Sequence, residues 1–402
     1  MLGAIYIGLS GMDAYQKGLQ TISNNVANLN TSGFKSSDVN FVDLFSYGGS
    51  GTSLSSNPNE NGGSGVAFGK PHIDMTQGEL RSTDNDLDLA IQGNGFLMLL
   101  DGDKTYYTRT GQFMVGTDGF ITEQGTDYRL AVLDESGRAT ALQIDTKRLN
   151  PPKATTTIAI TGNLVRGTDP SISNITVYDD NGGSHVWTVK LTRDTTTGTV
   201  DTWNVTIKDE HGVDVPSQSG LTTQIKLTGG IIDPTTAKPV FVSHQANASD
   251  IQVTLDFSSG ITIFAGTESN LSAKPDGNAV GTLTATSPIT IDDEGRVKLN
   301  YTNGQSETLG AIVIADFRDP QSLERIGNGL FRGTGGNAPH LVASGVDGAG
   351  TVQSKKTEAS NVDLSQEFGQ LILIQRGFQA SSQVVSVSND MIQQLFGIRG
   401  QG

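Results

Sequence analysis

The sequence contains no cysteine, and this absence removes several kinds of chemistry at once. A disulfide framework, a thiolate metal site and a cysteine nucleophile are all excluded. A chain without thiols also keeps the same covalent structure in reducing and in oxidising compartments. The protein is therefore compatible with an extracellular location. Its stability has to come from packing and hydrogen bonds.

Long apolar runs and a secretory leader are lacking too. No stretch of about 18 apolar residues occurs, so we expect no membrane-spanning helix. Residues 1–8 have neither a basic segment nor an unbroken apolar core, so we expect no cleaved signal peptide. If the protein is exported, we expect a different route.

Positive charge is scarce as well. The chain has 27 Lys and Arg against 42 Asp and Glu, a formal net charge of −15, which does not favour nucleic acid or an anionic membrane as a partner. Charged residues make up only 17% of the chain, whereas glycine is abundant at 50 residues. Such a composition is typical of turn-rich β proteins and extracellular structural proteins, and it favours these over a cytosolic enzyme.

Catalytic and cofactor motifs are also missing. Residues 84–88 begin like a calcium loop, but the sixth position is Leu89 and the twelfth is Gly95, where such a loop needs Gly and Glu. The five histidines are scattered without ligand spacing. We therefore expect no catalytic residue, no metal site, no cofactor and no enzymatic activity. A carbohydrate-active enzyme on a β scaffold is the weakest alternative.

What the sequence does contain is an apolar repeat at each end. The positions alternate three and four residues apart, which is the spacing of a coiled-coil contact. In a predicted helix over residues 1–29 the repeat consists of Leu2, Ile5, Leu9, Met12, Gln16, Leu19, Ser23 and Val26. In a second predicted helix, which Ser360 or Asn361 could cap, it consists of Leu364, Phe368, Leu371, Gln375, Phe378, Ser382, Val385, Asn389, Ile392 and Phe396.

Two features indicate that these helices meet partners beyond each other. Glycines at positions 3, 8, 11 and 18 each cost roughly 1 kcal/mol in a helix interior, so the first helix should be marginal alone. We expect both ends to be disordered in a free monomer, because their apolar repeats lack partners there. Apolar residues also lie off the main stripe. We therefore predict a polymer interface, which we call the interface stripe. It consists of Leu2, Ile5, Leu9, Met12, Leu19, Ile22, Val26, Leu364, Phe368, Leu371, Phe378, Val385, Ile392 and Phe396. Packing of the two helices within one globular core is the commoner alternative.

The chain between the helices is predicted as strands and turns. Strict alternation of apolar and polar residues within 151–280 predicts an antiparallel sandwich or barrel with Trp187 and Trp203 in its core. Asn303-Gly304 predicts a hairpin. The fold class is thus mainly β with terminal α.

We predict a nested, discontinuous architecture. If the two terminal helices pair, the chain between them has to leave the helical region and come back to it, so that one domain is inserted within another. The predicted parts are a paired helical coiled-coil region (1–34 and 358–402), an extended linker (35–65), an inner β domain (66–150 and 281–357) and an inserted outer β domain (151–280). Within the linker, residues 48–65 are rich in Gly, Ser and Asn, and we expect them to be flexible and to contact neighbouring subunits.

Several blocks of sequence resemble one known family. They are Ser10–Tyr15, Ile22–Lys35, Leu87–Phe96, Tyr107–Phe113, Glu358–Leu364 and Gln375–Ala380. They resemble the motifs of the flagellar rod and hook (axial) protein family of bacteria. The positions that carry the terminal motifs are Ser10, Gly11, Asn24, Asn25, Asn28, Gly33, Phe34, Lys35, Asn361, Asp363 and Gln375.

The resemblance implies a function. A chain of 402 residues with an inserted β domain is similar to the hook-forming members, whose subunits polymerise into the flexible universal joint that transmits torque from rod to filament. The implied location is the hook and basal body, outside the cell after export. Another axial protein, of the distal rod or hook–filament junction type, is an alternative, and a secreted β-rich binding module is a weaker one.

The resemblance also implies partners. They are further copies of the chain in a helical homopolymer, the distal rod protein, the hook cap protein, the hook–filament junction protein and the flagellar type III export apparatus. Neither nucleic acid nor membrane insertion is expected.

Overall fold

The protein forms two compact units. The computed structural model describes residues 2–44, 65–134, 136–195, 201–228, 230–244, 249–258 and 260–399. Unit 1 comprises Met1–Asp145, Ile289–Lys298 and Thr308–Gly402, and unit 2 comprises Thr146–Pro288 and Leu299–Glu307. The predicted four-part division of the chain stays a prediction.

Unit 1 carries both α-helices, α1 (Leu2–Ala27) and α2 (Leu364–Arg399). Helices at the two ends of a mainly β chain were predicted, and this is confirmed. The predicted cap of α2 is wrong, because the side chain of Asp363 accepts hydrogen bonds from the backbone N–H of Ser365 at 2.7 Å and of Gln366 at 3.3 Å. Neither helix, as far as the described residues reach, is long and apolar enough to cross a membrane.

The strands are short, as expected for a chain rich in turn residues. The first group, in unit 1, consists of β1 (Ser37–Asp38), β2 (Phe41–Asp43), β3 (Val66–Phe68), β4 (His72–Ile73), β5 (Leu80–Ser82), β6 (Asp88–Gln92), β7 (Phe96–Asp101), β8 (Lys104–Thr108), β9 (Thr110–Val115), β10 (Ile121–Glu123), β11 (Arg129–Leu133) and β12 (Ala139–Ala141). The second group, in unit 2, consists of β13 (Leu149–Asn150), β14 (Thr157–Asn163), β15 (Ser171–Tyr178), β16 (Ser184–Asp194), β17 (Asp201–Lys208), β18 (Gln224–Thr228), β19 (Ile231–Ile232), β20 (Val240–Ser243), β21 (Ile251–Asp256), β22 (Ile261–Thr262), β23 (Asn270–Pro275) and β24 (Gly281–Thr282). The last group consists of β25 (Ile289–Ile291), β26 (Arg296–Asn300), β27 (Ser306–Ala311), β28 (Ile314–Asp316), β29 (Glu324–Gly327), β30 (Leu330–Arg332), β31 (His340–Val342), β32 (Thr351–Ser354) and β33 (Lys356–Glu358). Short 3₁₀ turns occupy Asp145–Lys147 and Pro320–Ser322.

A 12-stranded sheet dominates unit 1. Its main path runs β29-β30-β8-β7-β11-β10-β9-β6-β32, with β12 beside β11 and β28 pairing with both β7 and β31. Aromatic rings fill part of its core, where Phe96 packs edge-to-face on Phe317 and Phe331 at centroid distances of 5.9 and 5.5 Å. Early and late parts of the chain therefore share one sheet, which brings the two helices to the same unit.

Unit 2 is built from two five-stranded sheets around a shared apolar core. Trp187 on β16 and Trp203 on β17 are fully buried there, which confirms the prediction that they mark the core. The predicted antiparallel arrangement is wrong in one of the sheets, because β14 runs parallel to β21 and β22.

Two further regions contain small sheets. The strands β25, β26 and β27 form a three-stranded sheet, and the division between the units falls within it. The predicted Asn303-Gly304 turn is confirmed, since Gly304 has φ +75° and its N–H bonds to the carbonyl of Tyr301 at 3.0 Å. In the predicted linker, β1 pairs with β4 and β2 pairs with β3. Residues 45–64, including most of the expected flexible stretch, lie outside the described residues.

Candidate functional site: the terminal helix pair and its polar junction

The two helices pack antiparallel against each other. Gly8, near the start of α1, faces Val385 in the second half of α2. Asn25, near the end of α1, donates a hydrogen bond from its side-chain amide to Glu367 in the first turn of α2, at 2.8 Å. The helices thus contact one another along most of the length of α1.

Glycines allow the two helix backbones to come close. A Cβ atom on Gly8 would lie 2.7 Å from Cγ2 of Val385 and 3.2 Å from the carbonyl oxygen of Ser381. A Cβ atom on Gly18 would lie 2.9 Å from Cδ1 of Ile374. The same glycines that lower helix propensity therefore make the contact possible. This corrects the argument from glycine content, because each helix has the other as a partner within one chain, so the reason given for disordered ends does not hold.

The residues that face the partner helix are offset from the interface stripe. On α1 the buried positions are Gly8, Gly11, Ala14, Gly18, Ile22 and Asn25. Of the stripe, Ile22 is fully buried. The exposed members are Leu9, Leu19, Leu364, Phe368 and Phe378, and the half-buried members are Ile5, Met12, Val26, Leu371, Val385 and Ile392. The side chains of Leu2 and Phe396 lie outside the described part. The polymer interface itself stays a prediction.

The paired helices present a large apolar surface. Other exposed apolar side chains on them are Tyr6, Ile7, Ile372, Leu373, Val384, Val387 and Met391. Leu373 is 69% exposed and Phe368 is 52% exposed. A groove of about 390 Å³ runs between the helices, with Tyr15, Leu19 and Phe378 among its lining residues. Apolar surface of this extent is typical of a protein–protein contact.

A buried cluster of charges, which we call the polar junction, lies where the terminal segments meet the sheet. Glu358 is fully buried, and its Oε1 accepts hydrogen bonds from Nζ of Lys35 at 2.5 Å and from the N–H of Gly78 at 2.9 Å. Its Oε2 accepts one from Nε of Arg109 at 3.2 Å. A buried carboxylate is tolerated only when it is paired and hydrogen-bonded in this way.

The two cations of the junction are satisfied by backbone carbonyls as well. Lys35 donates to Thr76 at 2.6 Å, and Arg109 donates to Gly95 at 2.6 Å and to Ile91 at 3.2 Å. Burial lowers the pKa of Lys35, and the charge of Arg109 lowers it further, while Glu358 acts in the opposite direction. Because the cluster holds two cations and one carboxylate, Glu358 is the group on which its charge balance depends.

Two asparagines of the family motifs extend the junction to both helices. Asn25 on α1 pairs with both backbone groups of Ser37, donating at 2.9 Å and accepting at 3.0 Å. Asn361, just before α2, accepts from the N–H of Ser36 at 2.8 Å and donates to the carbonyl of Asp74 at 2.9 Å. Both side chains therefore bind backbone groups of the segment that follows α1, as a neighbouring strand would do.

Glu367 is an energetically unfavourable group in the contact between the two helices. Its Oε1 accepts the bond from Asn25, but its Oε2 is buried without a hydrogen-bond partner. Burial raises the pKa of Glu367, and the nearby carboxylates of Asp38 and Asp363 raise it further, while the bond from Asn25 lowers it. The contact between the two helices therefore contains a carboxyl group whose surroundings disfavour its ionised form.

The other family-motif residues lie at several places. Gly33 donates from its N–H to the carbonyl of Glu358 at 2.8 Å, and the ring of Phe34 lies under the guanidinium of Arg325 at 4.7 Å. Arg325 also donates to the carbonyl of Lys35. Asp363 is the cap of α2. The remaining motif residues lie along the helices and the end of α1, and they are Ser10, Gly11, Asn24, Asn28 and Gln375.

Sequence reasoning missed the partners of Lys35. Arg109 and Glu358 stand inside the quoted motif blocks, but no role was given to either residue. The signal that could have found them is a charged residue within an otherwise apolar or small-residue block, which predicts a buried ion pair. Among the described residues, no group of three or more His, Asp and Glu is placed to hold a metal ion.

Three stretches of the chain match families of flagellar axial proteins. Residues 5–35 match the family described as Flagella basal body rod protein. Residues 90–164 match the Flagellar hook protein FlgE/F/G D1 domain, and residues 353–398 match the Flagellar basal body rod FlgEFG protein C-terminal. These stretches contain most of both helices and all three charged groups of the polar junction. Both ends of the chain and part of its first β region are thus similar to flagellar hook and basal-body rod proteins.

Relatives that match over nearly the full length are named flagellar hook protein FlgE. That of Borreliella burgdorferi is 28% identical over 98% of this chain and 99% of its own. That of Escherichia coli K12 is also 28% identical, over 97% of this chain and 98% of its own. The flagellar hook protein FlgE2 of Helicobacter pylori shares the fold, with a TM-score of 0.50 at 12% identity over 69% of this chain and 99% of that structure.

Proposed function

We propose that the chain is the structural subunit that polymerises into a bacterial flagellar hook. The single observation that carries this function is similarity to flagellar hook proteins from one end of the chain to the other. The hook is the flexible joint that passes torque from the rod to the filament. The function is mechanical, and no reaction is part of it.

The terminal helix pair is the part of the subunit that joins copies together. Its exposed apolar residues, such as Phe368 and Leu373, gain favourable free energy only when another molecule covers them. Antiparallel pairing of α1 and α2 presents this surface as one preformed unit. Copies that stack through such pairs would form the inner wall of a tube, with the β units outside.

The polar junction suits the transmission of load. Lys35 follows α1, Glu358 precedes α2, and Arg109 lies between β8 and β9 of the 12-stranded sheet. Hydrogen bonds from Lys35 and Arg109 to the one carboxylate of Glu358 tie both helices to that sheet. A torque on the helices is therefore passed to the sheet through short, buried bonds, in place of a flexible hinge.

The partners follow from the same function. They are further copies of the chain, the distal rod protein below, the hook cap protein during assembly, the hook–filament junction protein above, and the flagellar type III export apparatus. Export without a cleaved signal peptide would place the subunit outside the cell in the hook. The lack of cysteine supports this route, because an unfolded chain in transit has no disulfide to form or break.

Truncation of either helix tests the proposed function. The full-length protein should form tubes visible by electron microscopy, and removal of residues 1–30 or 365–402 should abolish them. Tryptophan fluorescence, which reports on unit 2, should show that the truncated proteins remain folded there. Tubes formed without either helix, or no tubes from the full chain under any assembly condition, would contradict the proposal.

A further inference from the structure

A polar pocket in unit 1 holds a carboxyl group without a counter-charge. The pocket has a volume of about 220 Å³ and lies beside Glu123, at the end of β10. Its other lining residues with polar side chains are Ser32, Thr110, Thr357, Gln112, Gln124 and Asn328. The turn after α1, the sheet and the strand before α2 each contribute to this wall.

Glu123 differs from Glu358 and resembles Glu367 in having one buried carboxylate oxygen without a hydrogen-bond partner. Its Oε2 is buried without a hydrogen-bond partner, whereas both oxygens of Glu358 are bonded. Burial alone raises the pKa of Glu123 to about 7. A carboxylate in this state lowers its free energy by meeting a cation or by taking up a proton.

The charged groups on the adjoining elements do not supply that cation. Lys356 donates to the side chain of Gln353, Arg325 donates to the carbonyl of Lys35, and Arg129 on β11 donates to Asp118. Strand β9 carries no charged side chain. Tyr128 is an ionisable neighbour whose pKa is raised first by desolvation, with a smaller contribution from the charge of Glu123.

The lining groups suit a cation with several N–H donors. The side chains of Ser32, Gln112 and Gln124 make no hydrogen bond within the described part of the chain. Their oxygens are acceptors, and an ammonium group has three donors to share among a carboxylate and such oxygens. A guanidinium group is planar and larger, and its bidentate pairing with a carboxylate uses both oxygens, whereas one oxygen of Glu123 is already enclosed.

We propose that the Glu123 pocket is a binding site for a primary ammonium group. The ammonium group can come from a lysine side chain of a second copy of the chain or from a free amine in solution. The first source rests on the proposed function, since only a polymer places a neighbouring lysine there continuously. Such a contact would couple the assembly of subunits to pH.

The first experiment measures the site in the monomer. The probe is n-butylammonium chloride, with tetramethylammonium chloride, which has no N–H donor, at equal ionic strength as the control. The pKa of Glu123 is measured from its side-chain carboxyl ¹³C signal in glutamate-labelled protein. The signal is assigned by its absence from the spectrum of Glu123→Gln. The alkylamine should lower that pKa and should bind about 30-fold more tightly at pH 8 than at pH 5.5, because only the ionised form of a group with a pKa of about 7 binds it. Equal titration curves in the two salts would overturn the site.

The second experiment identifies the source. If a lysine of a second copy enters the pocket, Glu123→Gln should raise the critical concentration for polymerisation at pH 8 by about tenfold. The matched control Glu79→Gln, at an exposed carboxylate, should leave it unchanged. Wild-type and Glu123→Gln proteins with the same critical concentration, together with an alkylamine response in the monomer, would assign the site to a free amine.

The two proposals can fail separately. Tubes that form normally while Glu123 responds to neither alkylamine nor assembly would overturn the ammonium site and leave the hook function intact. A chain that forms no tubes, but whose Glu123 responds to the alkylamine, would overturn the hook function and leave the site.

Discussion

At the scale of single residues, Glu358 sets the charge balance of the polar junction. It lies between Lys35 and Arg109, and its side chain has no exposed surface. Removing the one anion leaves two cations facing each other in a buried site, whereas removing one cation leaves a balanced pair. The two kinds of substitution therefore differ sharply in their expected cost.

Glu358→Gln should lower the free energy of unfolding of unit 1 by about 3–5 kcal/mol, and Lys35→Met should cost clearly less, because Arg109 still faces Glu358. Urea unfolding followed by the helical CD signal measures unit 1. Tryptophan fluorescence provides an internal reference, since both tryptophans are buried in unit 2. Equal losses in the two variants would show that charge balance does not govern the junction.

Glu367 should make the stability of the helix pair depend on pH. Because its pKa is raised in the folded state, the folded protein holds this proton more tightly than the unfolded chain. The stabilisation is thus fully present below the unfolded-state pKa and is lost as the pH rises through the folded-state pKa. Glu367→Gln keeps an oxygen to accept the bond from Asn25 and removes the charge, so it should raise the Tm at pH 8 by roughly 2–4 °C. It should have little effect at pH 4, and a gain of the same size at both pH values would count against the argument.

The residues of the junction could be predicted from the sequence only in part. The motif resemblance singled out Asn25, Lys35 and Asn361, but no local pattern says what they contact. Lys35 and Glu358 are separated by 323 positions, and their ion pair exists only because early and late strands share a sheet. Apolar residues that recur every two or every 3.6 positions predict which face of a strand or helix is buried. This periodicity does not predict which charged side chains meet there.

At the scale of elements, the helix pair depends on where its glycines lie. Gly8 and Gly18 are on the contact face, whereas a Cβ atom on Gly3 or Gly369 would have no atom within 4 Å. The chain therefore offers the same substitution in two environments. In one environment intrinsic helix propensity decides the outcome, and in the other the close approach of the two backbones decides it.

Gly8→Ala should destabilise the helix pair by about 1–3 kcal/mol, because the new methyl group would overlap Val385 and approach the carbonyl of Ser381. Gly369→Ala should stabilise it by roughly 0.5–1 kcal/mol through helix propensity alone. Thermal unfolding of the monomer, followed by CD, measures both. Stabilisation by Gly8→Ala would mean that the helices do not pack closely at this position.

The sequence predicted both helices but not the line along which they meet. Apolar residues at heptad spacing predicted a contact through Leu9 and Phe368, which are exposed in the single chain. On the α1 side the contact uses glycines such as Gly8 and Gly18, which have no side chain to appear in a hydrophobic stripe, and on the α2 side these glycines meet Val385 and Ile374. Small residues matter here because they let the two helix backbones come close together. The distance between the backbones depends on both helices, so the residue pattern of one helix does not predict it.

At the scale of the whole molecule, the helix pair leaves apolar residues on more than one side. Phe368 belongs to the interface stripe, whereas Leu373 lies off it, and both are more than half exposed. A contact between only two subunits could cover one side. A helical polymer surrounds each pair with several neighbours and can cover both, which is why the two positions distinguish a dimer from a tube.

Phe368→Gln and Leu373→Gln should each weaken polymerisation while leaving the Tm of the monomer nearly unchanged, since neither side chain is buried within the chain. Burial of either side chain against a neighbour contributes about 1.5–3 kcal/mol, which corresponds to at least a tenfold rise in the critical concentration measured by sedimentation. Phe264→Gln, at an exposed position of unit 2, tests whether any exposed aromatic residue has this effect. Loss of polymerisation with Phe368→Gln alone would restrict the contact to the interface stripe. An effect at both helix positions requires neighbours on both sides of the pair, as only a tube of helix pairs provides.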